Sequence, residues 1–452
     1  MKVIATLMLL AVVGAAGADE ARPKLIGDYD MELRAGDHVD NALMVQRLKD
    51  LGANTYMWLV WHNANDWEDL KAFLPLAKQA GISVWAYLCP QSESTLQDPG
   101  WPYSEPFRLD FVKWAQEIAK LSLQNDNLIG YVIDDFWGNV FPDRFSPEYI
   151  KRMVAAGKAV NPKLRFYPLM YFPEIGPHFL ETVAPLVDGV VAAYPQSRQE
   201  MLDALAFLND EFHLPAGIEV VYPTGTHSKP GDQALLTQTC KVTGGAKARL
   251  SFRYLDNFQG PTAGYHFLQV RVDDKVVWEE DVEGRDDGTA DVDLAAALAG
   301  KQQVRLSIGV CDKQGVSEFG VCAAFSDLKA TGLELAQPDL SVADAWPETL
   351  VGAFTVTRHP ASEGKGRFHL PLIAMVAGQR VEFENRHHEK ATPEAFARHT
   401  AEAVQLLREG KLEGVVMYCL DKTPGNPDLD AVRDVFATMP ESARQAPVAG
   451  VE

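Results

Sequence analysis

The sequence of 452 residues lacks the patterns of several common kinds of site. Its five cysteines form no Cys-x-x-Cys pair and no Cys/His cluster with metal-ligand spacing, and the first predicted strand carries no histidine pair. We therefore expect no metal ion and no other cofactor. A Gly-x-Ser-x-Gly segment, which presents a serine nucleophile in many hydrolases, is also absent.

Basic residues are scarce relative to acidic ones. The chain has 42 Lys and Arg against 62 Asp and Glu, which gives a formal net charge of −20. Binding to phosphate backbones or to anionic lipid needs clustered cations, so nucleic acid and membrane surfaces are excluded as expected partners. Hydrophobic residues make up 47% of the chain, and its length predicts one large domain plus a second one.

A membrane anchor is not expected either. The apolar run of residues 3–13 is shorter than the ~20 residues that a spanning helix needs, and polar sequence follows it. With Lys2 before the run and Ala16-Gly17-Ala18 after it, residues 1–18 have the pattern of a cleavable signal peptide, which predicts a secreted or periplasmic protein. In such an oxidising compartment Cys311 and Cys322, on either side of a predicted turn, could pair or remain free.

Apolar strands alternate with amphipathic helices over residues 24–212 and again after about residue 339. Eight segments have the composition of buried strands, and they begin at Leu25, Thr55, Ile82, Leu128, Arg165, Asp188, Leu370 and Gly414. Eight strand–helix units predict a closed (β/α)8 TIM barrel of the α/β class. An open doubly wound sheet is the competing fold, but no Gly-rich phosphate loop follows the first strand.

The hydrophobic period changes to two in the middle of the chain. Leu250, Phe252 and Tyr254 alternate with polar residues, and similar alternation recurs from Leu268 and from Val304. This pattern predicts an antiparallel β-sandwich inserted between strands six and seven, and the segment beginning at Ile218 is assigned to it. The predicted boundaries are 19–213 for the first part of the barrel, 214–338 for the sandwich as a candidate carbohydrate-binding module, and 339–452 for the second part of the barrel.

Two adjacent acids, Asp134 and Asp135, end the most apolar predicted strand. The carboxyl ends of barrel strands carry the chemistry of this fold, so the two acids are the predicted catalytic pair. Residues at the other strand ends are predicted to bind substrate: Asp28, Asp30, Trp61, His62, Tyr87, Trp137, Tyr171, Glu174, Tyr194, Gln196, Gln379 and Asp421. Carboxylates, amides and aromatic rings dominate this set, as a sugar site requires. His387 and His388 are predicted to lie in a polar loop.

The segment Ile133-Asp134-Asp135-Phe136 resembles the acidic pair after the fourth strand of β-N-acetylglucosaminidase and hexosaminidase-type barrel enzymes. The resemblance implies that Asp134 orients an acetamido group of the substrate and that Asp135 protonates the leaving oxygen. A mechanism with two carboxylates and no acetamido group, in which Glu174 or Asp28 is the partner, is equally compatible with the residues.

These patterns together predict a secreted glycoside hydrolase that acts on a poly- or oligosaccharide by carboxylate acid/base catalysis. Two alternatives remain open at this point. One is a carbohydrate-binding surface protein on a barrel that has no catalytic activity. The other is a different hydrolase or a lyase on the same fold, because a fold by itself does not determine a function.

Overall fold

A computed structural model describes residues 24–93, 104–140, 145–222, 228–257, 263–282, 285–315 and 321–441. The predicted signal peptide lies outside these residues. The chain forms two compact units, one of residues 1–211 with 365–452 and the other of Phe212–Gly364. No helix among the described residues combines the length and the apolar character that crossing a bilayer requires.

The first part of unit one alternates strands with helices. Its strands are β1 (Leu25–Tyr29), β2 (Arg34–Ala35), β3 (His38–Val39), β4 (Thr55–Val60), β5 (Ser83–Leu88), β6 (Leu128–Ile133), β7 (Arg165–Tyr171) and β8 (Val190–Ala193). Its helices are α1 (Asn41–Leu51), α2 (Asp66–Gln79), α3 (Phe111–Gln124), α4 (Phe136–Val140), α5 (Pro147–Val160), α6 (Pro177–Thr182) and α7 (Arg198–Leu208). Short 3-10 turns lie at Gln91–Glu93, Phe172–Glu174 and Ala184–Leu186.

Unit two consists mainly of antiparallel strands. They are β9 (His213–Leu214), β10 (Gly217–Tyr222), β11 (Gln233–Val242), β12 (Arg249–Asn257), β13 (His266–Val272), β14 (Lys275–Asp281), β15 (Arg285–Asp293), β16 (Gln303–Asp312), β17 (Val321–Thr331), β18 (Leu333–Glu334), β19 (Glu348–Val351), β20 (Thr355–His359) and β21 (Ser362–Glu363). A 3-10 turn at Gly245–Lys247 and helix α8 (Ala295–Leu298) complete this unit.

The rest of unit one follows as β22 (Leu372–Ala377), α9 (Arg380–His387), α10 (Pro393–Arg408), β23 (Gly414–Tyr418) and α11 (Pro427–Ala437). Eight parallel strands close in the order β1-β23-β22-β8-β7-β6-β5-β4. The first and last strands pair, with Leu25 opposite Gly414, so the predicted (β/α)8 barrel is confirmed. The open doubly wound sheet is thereby excluded.

Local sequence explains where the barrel helices begin. The carboxylate of Asp110 accepts a hydrogen bond from the backbone N–H of Lys113 and caps α3. Ser146 caps α5 in the same way, and Pro147 occupies the first turn, where its missing N–H costs no hydrogen bond. Buried residues of α3 include Trp114 and Ile118, which lie four positions apart on the face that packs inward.

Unit two contains a five-stranded sheet, ordered β15-β12-β17-β10-β20, and a six-stranded sheet built on β14-β13-β16-β11-β18 with β19 beside β11. Buried residues from both sheets, such as Val220 and Leu236, belong to one apolar cluster. The strand that contains Ile218 is β10, which lies in the five-stranded sheet of unit two.

Two sequence-based expectations need correction, and the pairing of Cys311 with Cys322, which the sequence left open, is not found. The boundary predicted at residue 338 moves to Gly364, because β19 pairs with β11 and β20 with β10. Cys311 and Cys322 do not pair: they lie on strands of different sheets, and all five cysteines are free. His387 ends helix α9 instead of lying in a loop, and its ring packs against Phe383 of the same helix.

Candidate functional site

The turn between β6 and α4 positions the two adjacent acids. The backbone N–H of Asp134 still donates to the carbonyl of Leu88 on β5 at 2.9 Å, so the ladder extends one residue beyond Ile133. Asp135 then adopts a left-handed conformation with φ of 38°, which turns the chain into the helix. Adjacent residues of a regular strand face opposite sides, and this turn removes that restriction for the pair.

Asp134 accepts two hydrogen bonds on one carboxylate oxygen. The Tyr87 hydroxyl donates to Oδ1 at 2.6 Å, and the backbone N–H of Asp135 donates to it at 3.0 Å. Burial and, to a smaller extent, the charge of Asp135 raise the pKa of Asp134 to about 7, against the opposing effect of the Tyr87 hydrogen bond. Asp134 therefore holds a proton at a pH close to neutral.

Asp135 contacts a tyrosine and a second carboxyl group. The Tyr171 hydroxyl donates to its Oδ1 at 2.7 Å, and the carboxyl group of Glu93 is hydrogen-bonded to it. Burial, followed by this hydrogen bond and the charge of Asp135, raises the pKa of Glu93 to about 7. Two carboxyl groups share a hydrogen bond only when one is protonated, and the raised pKa of Glu93 makes it the carboxyl that holds the proton.

Glu93 was not among the residues predicted from sequence. It lies in the 3-10 turn Gln91–Glu93, just beyond the carboxyl end of β5. Its position shortly after a barrel strand could have marked it as a candidate, because the carboxyl ends of barrel strands carry the chemistry. However, several residues separate Glu93 from the last residue of β5. Only the folded turn directs its side chain towards Asp135.

Glu174 lies close to the same pair. Its Oε2 accepts a hydrogen bond of 2.8 Å from the backbone N–H of Tyr171, which holds the side chain beside the end of β7. Burial raises the pKa of Glu174 to about 7, the Tyr171 hydrogen bond opposes the rise, and the charge of Asp135 adds to it.

Five tyrosines form a continuous series around the carboxyl end of the barrel, which we call the tyrosine belt: Tyr87, Tyr29, Tyr418, Tyr194 and Tyr171. Successive ring centroids are 4.2, 5.4, 5.1 and 6.0 Å apart. The two ends of the belt are the tyrosines that donate to Asp134 and Asp135. Tyr87, Tyr171 and Tyr194 are among the residues predicted to bind substrate, whereas Tyr29 and Tyr418 are not.

Helix α9 contributes a cation and an acid next to this belt. The guanidinium carbon of Arg386 lies 5.0 Å from the ring centroid of Tyr171 and 4.7 Å from that of Tyr194. Its Nε donates to Glu382 at 2.6 Å. Neither residue was predicted from sequence, because the neighbouring His387 and His388 were expected to lie in a polar loop instead of next to a helix.

Several predicted site residues have other roles. Asp28 is fully buried, forms an ion pair with Lys422 and accepts from the backbone N–H of Leu420, so the predicted substrate contact is replaced by a structural one. Burial raises the pKa of Asp28 to about 6 although Lys422 opposes the rise. Asp421 is exposed and accepts from the backbone and hydroxyl of Thr423, which stabilises its own loop.

The remaining predicted residues lie around the carboxyl end of the barrel without joining the acid pair. Asp30 is hydrogen-bonded to Glu32, whose pKa is raised well above its usual value by burial and by Asp30. Trp61 and His62 stack on each other, and burial lowers the pKa of His62. Three more predicted residues remain. Trp137 lies beside His178 and Phe179. Gln196 donates a hydrogen bond to the Tyr194 carbonyl, and Gln379 is exposed just before α9.

Among the described residues, no group of three or more His, Cys, Asp or Glu side chains has an arrangement that could hold a metal ion. The groups that can transfer or hold protons are instead the carboxyls of Asp134, Asp135, Glu93 and Glu174, with tyrosine hydroxyls as donors. This arrangement suits acid/base chemistry on a polar substrate.

No family model matches this chain, and no curated protein matches its sequence. A cycloisomaltooligosaccharide glucanotransferase from Paenibacillus sp. is 12% identical with a TM-score of 0.28, over 68% of this chain and 58% of that chain. An endoglucanase from Pseudomonas stutzeri is 13% identical with a TM-score of 0.27, over 42% of this chain and 76% of that chain.

An aldolase from Desulfitobacterium hafniense is 11% identical with a TM-score of 0.25, over 41% of this chain and 66% of that chain. Likenesses this weak carry no conclusion about the activity of this chain. The barrel itself is established by its own strand pairing.

Proposed function

We propose that this chain hydrolyses glycosidic bonds at the carboxyl end of its barrel. The observation that carries the proposal is the Asp134–Asp135 turn, which places two carboxyl groups together: burial raises the pKa of Asp134 to about 7, and Asp135 is hydrogen-bonded to Tyr171 and to Glu93. Glycosidase chemistry needs one carboxyl group as proton donor and one carboxylate as nucleophile or base.

The hydrogen bonds support a division of roles between the two acids. Asp135 is the carboxylate, because the hydroxyl of Tyr171 and the carboxyl of Glu93 both bond to it. Asp134 is the proton donor: as the bond between the anomeric carbon and the leaving oxygen breaks, that oxygen takes the Asp134 proton. Asp135 stabilises the positive charge on the anomeric carbon or activates water. This assignment reverses the one implied by the hexosaminidase resemblance.

The tyrosine belt supports a carbohydrate as the substrate class. Aromatic faces cover the apolar faces of pyranose rings, and phenol hydroxyls can bond to sugar hydroxyls. Tyr171 and Tyr418 are only partly buried, so both are accessible from the barrel end. We propose that these two rings contact the sugar beside the acids.

Two further expectations remain proposals. The chain is exported by its N-terminal segment, since Lys2, the apolar run and the Ala16-Gly17-Ala18 site have the order of a signal peptide. Unit two is a β-sandwich inserted between the sixth and seventh barrel strands and acts as an accessory carbohydrate-binding module. Its two sheets with one shared apolar cluster support the sandwich.

The decisive experiment compares Asp134→Asn and Asp135→Asn with the unmodified protein on a panel of 4-nitrophenyl glycosides and dyed polysaccharides. Each substitution keeps the size of the side chain and removes its titration. Loss of general acid/base chemistry costs about 10²–10⁴-fold in rate, so both variants should lose kcat by that factor. Asp126→Asn is the control, because Asp126 is exposed near the opposite end of the same strand.

Wild-type kcat in both acid variants would refute the proposal. Retention of the unmodified protein on polysaccharide affinity gels, with no cleavage of any substrate on the panel, would instead support a carbohydrate-binding protein without catalytic activity. Loss of kcat with normal unfolding temperatures supports the hydrolase.

A further inference from the structure

Hydrogen bonds join the turn that contains Glu93 to the turn that contains Asp135. The link is the side chain of Asn139 on α4, which is fully buried. Its Nδ2 donates to the Ser92 hydroxyl at 2.8 Å and to the Asp135 carbonyl at 2.9 Å. Its Oδ1 accepts from the Ser92 backbone N–H at 3.3 Å. The side-chain amide of Asn139 thus hydrogen-bonds both to Ser92, the residue before Glu93, and to the backbone carbonyl of Asp135.

This link determines how close the two carboxyl groups lie. Without it, the turn after β5 and the turn after β6 would be separate segments, each free to adjust. A buried amide with three hydrogen bonds on two segments restricts both, because breaking them would leave buried polar groups unpaired. The carboxyl of Glu93 is thereby kept in hydrogen-bonding reach of Asp135.

We propose that Glu93 is a positioning residue that orients the carboxylate of Asp135 by donating a carboxyl O–H to it, and that Asn139 fixes this contact. The inference rests on the proposed function, in which Asp135 is the reacting carboxylate. Glu93 itself need not touch the substrate. It acts through the charge and orientation of Asp135.

The surroundings of Glu93 make this donation dependent on pH. The titratable groups that interact with it are Asp134 and Asp135 after β6 and Cys89 after β5. Burial keeps Glu93 protonated up to a pKa of about 7. Above that pH two carboxylates face each other, and Asp135 loses its donor and gains a repelling neighbour.

The test measures kcat, KM and their pH dependence for Glu93→Ala and Glu93→Gln on a chromogenic glycoside that the wild-type protein cleaves. Hydrogen bonds to charged groups are strong, so Glu93→Ala should lower kcat about 10- to 100-fold while KM changes little. Glu93→Gln should recover most of that loss, because its amide N–H can donate to Asp135.

The pH profile separates this role from a general loss of structure. In the wild type, Asp134 and Glu93 both ionise as the pH rises, so log kcat should fall with a two-proton slope. In Glu93→Gln the amide cannot ionise, and the slope should become that of one proton. Equal losses in both variants, or the same slope in wild type and Glu93→Gln, would overturn the proposal.

Ser92→Ala tests the Asn139 link at an exposed position, where the substitution is safe for folding. It removes the hydroxyl that accepts from Asn139, and kcat should fall severalfold with KM unchanged. An unchanged kcat would overturn the role of Asn139. Failure of this inference is distinct from failure of the proposed function: it leaves Asp134→Asn and Asp135→Asn inactive while Glu93→Ala behaves as wild type.

Discussion

Asp28 and Asp134 are both buried acids near the carboxyl ends of barrel strands, but their partners differ. Asp28 faces the ammonium group of Lys422 and is sealed from solvent. Asp134 has a tyrosine hydroxyl and a second acid as neighbours. A cation stabilises the charged form of a carboxyl group, whereas a like charge favours protonation. The first acid is therefore suited to a structural role and the second to proton transfer.

We expect Tyr171→Phe to lower kcat about tenfold or more, because it removes the hydroxyl that donates to Asp135 and keeps the ring. Steady-state kinetics on a chromogenic glycoside measure the effect, and KM should change less than kcat. Tyr149→Phe is the matched control, since the Tyr149 hydroxyl accepts from the backbone N–H of Phe111 and contacts no acid of the site. Equal kcat in both variants would show that the hydroxyl of Tyr171 is dispensable.

Lys422→Met should destabilise the protein by about 3–5 kcal/mol, because it leaves the carboxylate of Asp28 buried without its cation. Urea unfolding measures the loss, and the double variant with Asp28→Asn should recover part of it. Lys78→Met is the control: Lys78 and Asp126 form an exposed pair, which typically contributes less than about 1 kcal/mol. Similar losses in the two single variants would contradict the structural role of Lys422.

At the scale of secondary-structure elements, β6 needs a glycine to fit beside its neighbour. A Cβ at Gly130 would lie 2.4 Å from the Trp85 ring and 2.8 Å from the Arg165 carbonyl. Trp85 is also held between the Arg165 guanidinium, 4.7 Å from its ring centroid, and the Tyr167 ring. The strand that presents the acid pair therefore depends on a residue without a side chain four positions earlier.

Gly130→Ala should lower the free energy of unfolding by about 1–3 kcal/mol, as overpacking in a buried core does. Thermal and urea unfolding measure the change. Gly138→Ala is the matched control on α4, where a Cβ meets nothing within 4 Å and a helical alanine is favoured over glycine. If Gly130→Ala is as stable as this control, a methyl group at position 130 fits beside the Trp85 ring and the predicted overpacking is wrong.

At the scale of the whole molecule, the chain leaves and re-enters unit one at neighbouring points. Arg367 donates to Asp210 through Nε at 2.7 Å and through Nη2 at 3.0 Å. The backbone N–H of Gly366 also donates to the Asp210 carbonyl at 2.9 Å. The two ends of the intervening segment are thus joined by contacts that belong to unit one itself.

Replacement of residues 212–364 by a short Gly/Ser linker should leave a folded barrel, because segments with adjacent ends are separable. Circular dichroism and a cooperative thermal transition test this expectation. If the variant expresses only as aggregate or unfolds without cooperativity, the two units depend on each other for folding and the accessory role of unit two fails.

The raised pKa values of three acids in unit one predict how the free energy of unfolding changes with pH. The pKa values of Asp134, Glu93 and Glu174 are raised to about 7, so the folded state binds protons that the unfolded state has already released. Their contribution is fully present below the unfolded pKa and is lost as the pH rises through 7. The free energy of unfolding should therefore fall as the pH rises from about 4.5 to 7 and level off above 7, and Asp134→Asn should reduce that fall.

The barrel could be predicted from the chain because its signals are local. Each strand is an apolar run bounded by polar or glycine residues, and each helix has its own period and cap, so the number and order of the strands follow from short segments. The acid pair could be placed for the same reason, since Asp134 directly follows the last residue of β6.

The partners of these acids required the tertiary structure. Asp28 and Lys422 are 394 positions apart, and only closure of the barrel brings them together. Glu93 and Asp135 meet because two turns share Asn139, and β19 and β20 belong to unit two because they pair with β11 and β10. A short stretch of sequence shows which face of a helix or strand is apolar. Contacts between distant segments depend on the register of strand pairing and on closure of the barrel, and these cannot be determined from any short stretch.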